Sequence, residues 1–246
     1  MESTALAGAG TSGTAEPRHE GSFYRDGGAP VIMSAAHFPD EFLSFFQMEG
    51  LTAREAVSRY ACDSLVELGC YDGRALEVAK AADIAYLGVD VSRNAIDVLN
   101  RRIADEGLQD RARAVLGDML HSGEWAAGIS GSRPLHLVPF NLLGNFPEPE
   151  KVIASLSAVG GMALISVFND DARTTTLRRA YYSTCGIGDL EEVPGEYGGV
   201  AFCGKGGFRS QSFSEEGMNH LFTAGNATLV TQARNRLGRC VVVRFD

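Results

Sequence analysis

The chain has 246 residues, 45% hydrophobic and 22% charged, with 22 Lys plus Arg against 31 Asp plus Glu and a formal charge of -9. These values suit one globular domain with room for a small insertion, and they exclude a chain that is disordered throughout. No apolar run approaches the ~20 residues that cross a bilayer, and the acidic field opposes a phosphate backbone, so neither a membrane nor nucleic acid is expected as a partner.

Residues 1–21 are mostly Ala, Gly, Ser and Thr, without the basic and apolar regions of a secretory signal, and are read as a disordered tail. The segment 22–62 is read as an N-terminal helical lid. Within it Phe38 to Tyr60 has helical spacing, with Phe42, Phe45 and Phe46 on one face, and Thr52 with Glu55 forms a capping box before Ala56. From 63 to 246 the texture becomes that of alternating strands and helices. Apolar runs at Ser64–Leu68, Ala85–Val89, Ala112–Leu116, Leu135–Pro139 and Met162–Phe168 are separated by helical patterns, one of them capped by Ser92. Such alternation predicts a Rossmann-like, doubly wound α/β sheet, mostly parallel. The end differs: Ala227–Asn235 and Arg239–Phe245, joined by Arg236-Leu237-Gly238, read as a C-terminal antiparallel hairpin. A Gly-rich insertion at about 185–213 reads as a small β-hairpin, and Ser214-Glu215-Glu216 opens a last helix. The five cysteines, Cys62, Cys70, Cys185, Cys203 and Cys240, are scattered and lack CxxC or zinc spacing. They are expected to be reduced thiols of a cytoplasmic protein, with no metal site.

The most informative segment is Glu67-Leu68-Gly69-Cys70-Tyr71-Asp72-Gly73, at the end of the first strand. Open α/β sheets bind ligands at the carboxyl ends of their strands. Gly69 permits a sharp turn and Gly73 a close approach of helix to sheet. A dinucleotide site needs a second Gly where Tyr71 stands, so the loop suits a nucleoside without a pyrophosphate. Asp90 ends the second strand, where a carboxylate can accept both hydroxyls of a ribose. Asp118 ends the third, beside Met119, where an acid and an apolar side chain can hold an adenine. Singly, Asp90 can be a helix cap and Asp118 a turn acid; acids at three successive strand ends favour a ligand site.

These segments resemble the class I S-adenosylmethionine-dependent methyltransferases. Val66 to Gly73 looks like that family's first motif, Leu87-Gly88-Val89-Asp90-Val91-Ser92 its second and Leu116-Gly117-Asp118-Met119 its third. The resemblance, covering about Ser64 to Asp246, implies a seven-stranded sheet and S-adenosylmethionine as cofactor. It places Glu67, Gly69, Cys70, Tyr71, Gly73, Asp90, Val91, Asp118, Met119 and Asn141 against that cofactor, with Glu67 at the methionine end. Tyr71 departs from the family's usual small residue. The [ND]PP[YF] signature of base-modifying relatives is absent at Pro139-Phe140-Asn141-Leu142, which with the acidic charge implies a small-molecule acceptor, as in specialised metabolism.

The acceptor side is expected to draw on Tyr24, His37, Phe46, Asn145, Phe168, Tyr181 and Tyr182. Aromatic walls suit a planar substrate or an amine, and His37 is the candidate catalytic base. His136 reads as a core residue. Arg173, Arg178 and Arg179 can pair with a substrate carboxylate or form a solvated helix face. Tyr181 and Tyr182, as neighbours on a helix, are not expected to face one core, and at least one of them is expected to reach the site or the inserted hairpin. Two other functions stay open: a catalytically silent cofactor-binding regulatory domain, which a product assay separates, and a nicotinamide oxidoreductase, which should carry GxGxxG.

Overall fold

The computed structural model describes residues 23–245; the expected tail at 1–21 lies outside them. A kinked turn over Tyr24–Gly28 leads into the short helix α1 (Ala29–Ile32), a 3-10 turn over Ala35–His37 and the long helix α2 (Asp40–Arg59). The alternation then runs β1 (Ser64–Leu68), α3 (Leu76–Ala82), β2 (Ala85–Asp90), α4 (Arg93–Asp105), β3 (Ala112–Leu116), β4 (Pro134–Val138), α5 (Pro149–Val159), β5 (Gly161–Phe168) and α6 (Ala172–Thr184). After it come β6 (Glu191–Pro194), β7 (Val200–Gly204), β8 (Phe208–Gln211), α7 (Glu215–Ala224), β9 (Ala227–Arg234) and β10 (Gly238–Phe245).

The main sheet has seven strands in the order β3-β2-β1-β4-β5-β10-β9. Strands β1 to β5 pair in parallel, and β10 enters antiparallel between β5 and β9. This is the expected Rossmann-like architecture, and strand order reverses between β1 and β4. Period-two alternation sorts each strand between two cores. From β1, Leu65 joins Phe42, Ala56, Leu76 and Leu99 on the face covered by α2, α3 and α4. Val66 and Leu68 join Val152, Ile153, Leu221 and Trp125 under α5 and α7. Burial on both faces explains why the parallel strands read as continuous apolar runs. The Ser92 hydroxyl accepts from Ala95 N at 3.4 Å and the Ser214 hydroxyl from Gly217 N at 2.9 Å, starting α4 and α7. Among the described residues no helix is long and apolar enough to cross a membrane.

Three expectations are corrected. The Thr52–Glu55 pair caps nothing: α2 runs unbroken from Asp40, and the Thr52 hydroxyl donates back to Met48 O at 2.7 Å inside the helix. Pro39 and the acids Asp40 and Glu41 mark the true start. The insertion is a three-stranded antiparallel sheet, β6-β7-β8, instead of a hairpin. Its extra strand β6 is exposed throughout and carries Glu191 and Glu192, so it has no apolar pattern to betray it. Finally, Tyr181 and Tyr182 are each 2% exposed in one aromatic core, although Tyr182 does reach the inserted sheet as expected. Helix α6 is sandwiched between the N-terminal segment and the small sheet. Tyr181 meets Phe38 and Phe42 on one side, and Tyr182 meets Phe202 and Phe208 on the other.

Candidate active site

A cavity, partly open to solvent, lies over the carboxyl ends of β1, β2, β3 and β4, at the reversal in strand order where open α/β sheets place their ligands. Its floor is made of turns. After β1, Gly69 has φ 67° and a Cβ there would stand 2.6 Å from Leu142 Cδ2. Gly73, with φ 77°, leaves Leu99 of α4 space that a Cβ would fill at 2.5 Å. Tyr71, Phe140 and Asn141 also adopt positive φ, at 47°, 41° and 60°. All three line the cavity, and each costs on the order of 1–3 kcal/mol that surrounding bonds must offset.

Those bonds come from buried or half-buried carboxylates and one amide. Asp90 takes Tyr71 N–H on Oδ2 at 3.0 Å and Ser92 N–H on Oδ1 at 2.8 Å. It thereby ties the β1 turn to the β2 end. Burial, the largest influence, raises its carboxyl from the usual range, and the backbone N–H groups partly oppose that. Glu67 inside β1 accepts Ala75 N–H at 3.1 Å and Tyr86 O–H at 2.6 Å. Burial pushes its carboxyl up to about 7, against the pull of Tyr86, Arg74 and Ala75. From α2, the buried Glu49 receives Arg74 Nη2 at 2.7 Å and Phe140 N–H at 2.8 Å, so it braces both the β1 turn and the strained β4 loop. Asp118 accepts Leu120 N–H at 3.0 Å and faces Arg25 of the N-terminal segment at 3.8 Å across the cavity rim.

Part of the lining is aromatic. Tyr24, Phe140, Phe168, Tyr181 and Tyr182 form it together with Ile32 and Met33. Burial holds the Tyr24 phenol well above the usual range, with Asn145 pulling the other way. The Tyr181 hydroxyl donates to Ile32 O, tying α6 to the N-terminal segment. Asn141 Nδ2 donates to Ser210 Oγ at 3.1 Å and Gln211 O at 3.0 Å, while its Oδ1 accepts Phe168 N–H at 2.9 Å.

The sequence matches no known family profile and no curated protein. Solved structures are similar in shape. The 1,6-didemethyltoxoflavin-N1-methyltransferase of Burkholderia thailandensis, with 1,6-didemethyltoxoflavin and S-adenosylhomocysteine bound, matches at a TM-score of 0.56 and 15% identity over 86% of this chain and 88% of that one. Magnesium protoporphyrin IX methyltransferase from Synechocystis PCC 6803, with S-adenosylmethionine bound, matches at 0.58 and 10% over 91% and 94%. The [4+2]-cyclase SpnF matches at 0.51 and 13% over 79% and 80%. The chain has the class I S-adenosylmethionine-dependent methyltransferase fold.

On that methyltransferase fold the residues singled out from the sequence fall into two groups. Glu67, Gly69, Cys70, Tyr71, Asp90, Val91, Asp118, Met119, Asn141, Tyr24, Asn145, Phe168, Tyr181 and Tyr182 all line the one cavity. Gly73, Phe46 and His37 are not among its lining residues. Gly73 acts from behind, by admitting Leu99. Phe46 packs over the Arg74 guanidinium at 4.1 Å and against the Phe140 ring at 4.6 Å, and so supports two lining residues from behind. His37 has Nδ1 3.1 Å from Val31 O, so the N-terminal segment turns it away from the lining. Of the arginines, Arg178 is wholly buried and is neither a solvated face nor open to a carboxylate; Arg173 faces Glu41 at 3.7 Å and Arg179 binds Glu192. His136 is buried as expected, bonded to Gly160 O at 3.0 Å, and burial drops its imidazole to about 4. Glu49, Arg74, Phe140 and Ser210 went unnoticed. Arg74 directly follows Gly73 and was findable; Glu49 and Ser210 reach the site from distant elements with no local signal.

Proposed function

We propose that this protein is an S-adenosylmethionine-dependent methyltransferase acting on a small-molecule acceptor. The observation that carries the reading is a single cavity lined both by Asp90 and Asp118 at successive strand ends and by a group of aromatic rings. The residues present fit the cofactor. Asp90 stands at the β2 end with its carboxylate on the cavity wall, suited to ribose hydroxyls, and Asp118 with Met119 suits an adenine. Glu67 and Arg74 are suited to the methionine end. Tyr71, in the strained turn, occupies the room a pyrophosphate would need. Bound there, S-adenosylmethionine would supply a methyl group already activated on a sulfonium.

The chain's own contribution is then position and exclusion of water. Holding reactants at contact distance is worth ~7–11 kcal/mol of barrier. The N-terminal segment, through Tyr24, Ile32 and Met33, and α6 with β8, through Tyr181, Tyr182 and Ser210, form the aromatic wall. Tyr24, Tyr181 and Tyr182 shape that wall, and their rings suit a planar acceptor. Among the described residues no histidine lines the cavity, which favours an acceptor that reaches the site ready to react or loses its proton to solvent. A silent binding domain would have no need of the aromatic wall.

Calorimetry with S-adenosylhomocysteine and with NAD tests the cofactor: micromolar binding of the first and none of the second is expected, and the reverse defeats the reading. Release of S-adenosylhomocysteine from S-adenosylmethionine on adding a small-molecule metabolite fraction tests catalysis, and a bound cofactor with no such release from any fraction supports the silent domain.

A further inference from the structure

Four side chains at the aromatic end of the cavity fix one another's hydrogen-bond direction. The Asn141 amide cannot be turned over: Oδ1 takes the Phe168 N–H at 2.9 Å and Nδ2 donates to Gln211 O at 3.0 Å, and both partners are backbone. Its second amide proton therefore goes to Ser210 Oγ, at 3.1 Å. Arg178 can only donate; its Nη2 reaches Ser210 O at 2.5 Å and Ser210 Oγ at 3.4 Å, and its Nη1 reaches Val200 O at 3.1 Å. Two N–H donors thus occupy both lone pairs of the Ser210 hydroxyl. Its one proton is left for its third partner, Tyr182 Oη, 2.6 Å away. Tyr182 accepts from Ser210, and its own O–H proton has no protein acceptor among the described residues.

The same group carries charge. Arg178 is fully buried, and its Nε has no partner. Among the described residues no carboxylate lies within the 4.0 Å that defines an ion pair with it. Its guanidinium lies instead against the rings of Phe202 at 4.8 Å, Phe168 at 5.3 Å and Tyr182 at 5.8 Å. Charge in a buried setting acts strongly over such distances, so the free Tyr182 proton sits in a positive field. Tyr182, Phe168 and Ser210 all line the cavity.

We infer that the acceptor enters with an oxygen foremost: a carboxylate, phenolate or carbonyl oxygen on a planar body receives the Tyr182 O–H proton beside Arg178, which makes Tyr182 a specificity-determining residue. An ammonium at that place would meet the Arg178 charge and leave the Tyr182 proton unmatched. This deepens the methyltransferase reading and rests on it for the meaning of the word acceptor, while the binding preference is a property of the cavity alone.

The test titrates 1-naphthoate, 1-naphthamide and 1-naphthylmethylamine, matched in size, into the full chain saturated with S-adenosylhomocysteine, for the wild type and for Tyr182→Phe. Naphthoate and naphthamide should bind at least tenfold more tightly than the amine. Tyr182→Phe keeps the ring that packs on Phe202 and Phe208 but strands the buried Ser210 O–H, so its melting temperature should fall by a few degrees while S-adenosylhomocysteine affinity holds and naphthoate affinity falls about tenfold. Equal or tighter binding of the amine overturns the inference. So does unchanged naphthoate affinity in the variant, or no binding of either oxygen-bearing probe. Should the variant fail to fold, the wild-type ranking of the three probes decides alone. Failure of S-adenosylhomocysteine to bind counts against the methyltransferase reading only; the three probes are then titrated without it and the same ranking decides.

Discussion

Glu67 sits in the middle of the chain of carboxylates under the cavity, 2% exposed within β1, and its charge state should govern how stability varies with pH. Burial raises its carboxyl from 4.5 to about 7. Between those values the folded protein holds a proton that the unfolded chain has already released. The stabilisation from that proton is complete below pH 4.5, declines as pH rises and is gone above about 7. At 1.36 kcal/mol per pH unit over that interval, the loss is about 3 kcal/mol. Glu67→Gln is the appropriate perturbation. The amide oxygen can still accept Ala75 N–H and Tyr86 O–H, while the titration disappears. Urea unfolding of both proteins from pH 4.5 to 8, extrapolated linearly to water, should show the wild type losing about 3 kcal/mol relative to the variant by pH 7 and nothing further above it. Parallel curves would show that the Glu67 carboxyl titrates in the ordinary range and that burial is offset by its partners. The proposed cofactor site adds a second readout. A positively charged methionine end beside Glu67 favours the ionised carboxylate, so S-adenosylmethionine binding below pH 7 should release a proton from the wild type, seen as buffer-dependent binding heat, and none from the variant.

Three further outcomes are expected. Asp90→Asn puts an N–H against either Tyr71 N–H or Ser92 N–H, so it should cost about 1.5–3 kcal/mol of stability and weaken S-adenosylhomocysteine binding at least tenfold by calorimetry; unchanged affinity would make Asp90 a loop brace only. Glu49→Ala strands Arg74 and the Phe140 N–H, and because Arg74 is 33% exposed the cost should sit near the lower end for a broken buried pair, about 3 kcal/mol, by chemical denaturation. Tyr181→Phe removes the bond to Ile32 O, worth about 1 kcal/mol, and should speed proteolytic cleavage between Phe23 and Phe38 while leaving the sheet's amide-exchange protection unchanged.

The parallel core was legible because its signals are local. Ser64–Leu68 and Ala85–Val89 are apolar runs buried on both faces, Ser92 and Ser214 are caps that act within three residues, and Gly69 and Gly73 mark turns that only their φ values demand. The same locality misled at Thr52. A capping-box pattern sat inside a helix whose start was set twelve residues earlier, where Pro39 and Asp40 stand. β6 escaped notice because an exposed strand has no hydrophobic period, and Glu192 is held there by Arg179 on α6. The paired burial of Tyr181 and Tyr182 required knowing that two separate elements cover α6 from different sides.

The site divides along the same line. Its acid half is built from residues at the ends of consecutive strands, so a reader of strand ends finds Glu67, Asp90 and Asp118 in order. Its aromatic half has no such order. Ser210, Asn141, Arg178 and Tyr182 come from β8, the β4 loop and α6, separated by up to 69 residues, and only the folded chain makes them a hydrogen-bond relay. Arg178 shows why the distinction matters. By its neighbours in sequence, Arg173 and Arg179, it belongs to a charged helix face; in the structure those two pair with Glu41 and Glu192 at the surface while Arg178 points inward with no carboxylate. A buried cation of that kind is destabilising unless the groups around it are arranged to accept it. Here those groups are Val200 O, Ser210 O, Ser210 Oγ and three ring faces, and their arrangement leaves one phenolic proton facing no protein partner. The strained Phe140–Asn141 loop is held in place by the same Asn141 amide that directs the relay. Strain in the loop, burial of Arg178 and the direction of the Tyr182 proton are therefore one coupled feature: loosening Asn141 would release all three, whereas changing Tyr182 to Phe leaves the loop and Arg178 in place, removes the phenolic proton and strands the Ser210 O–H.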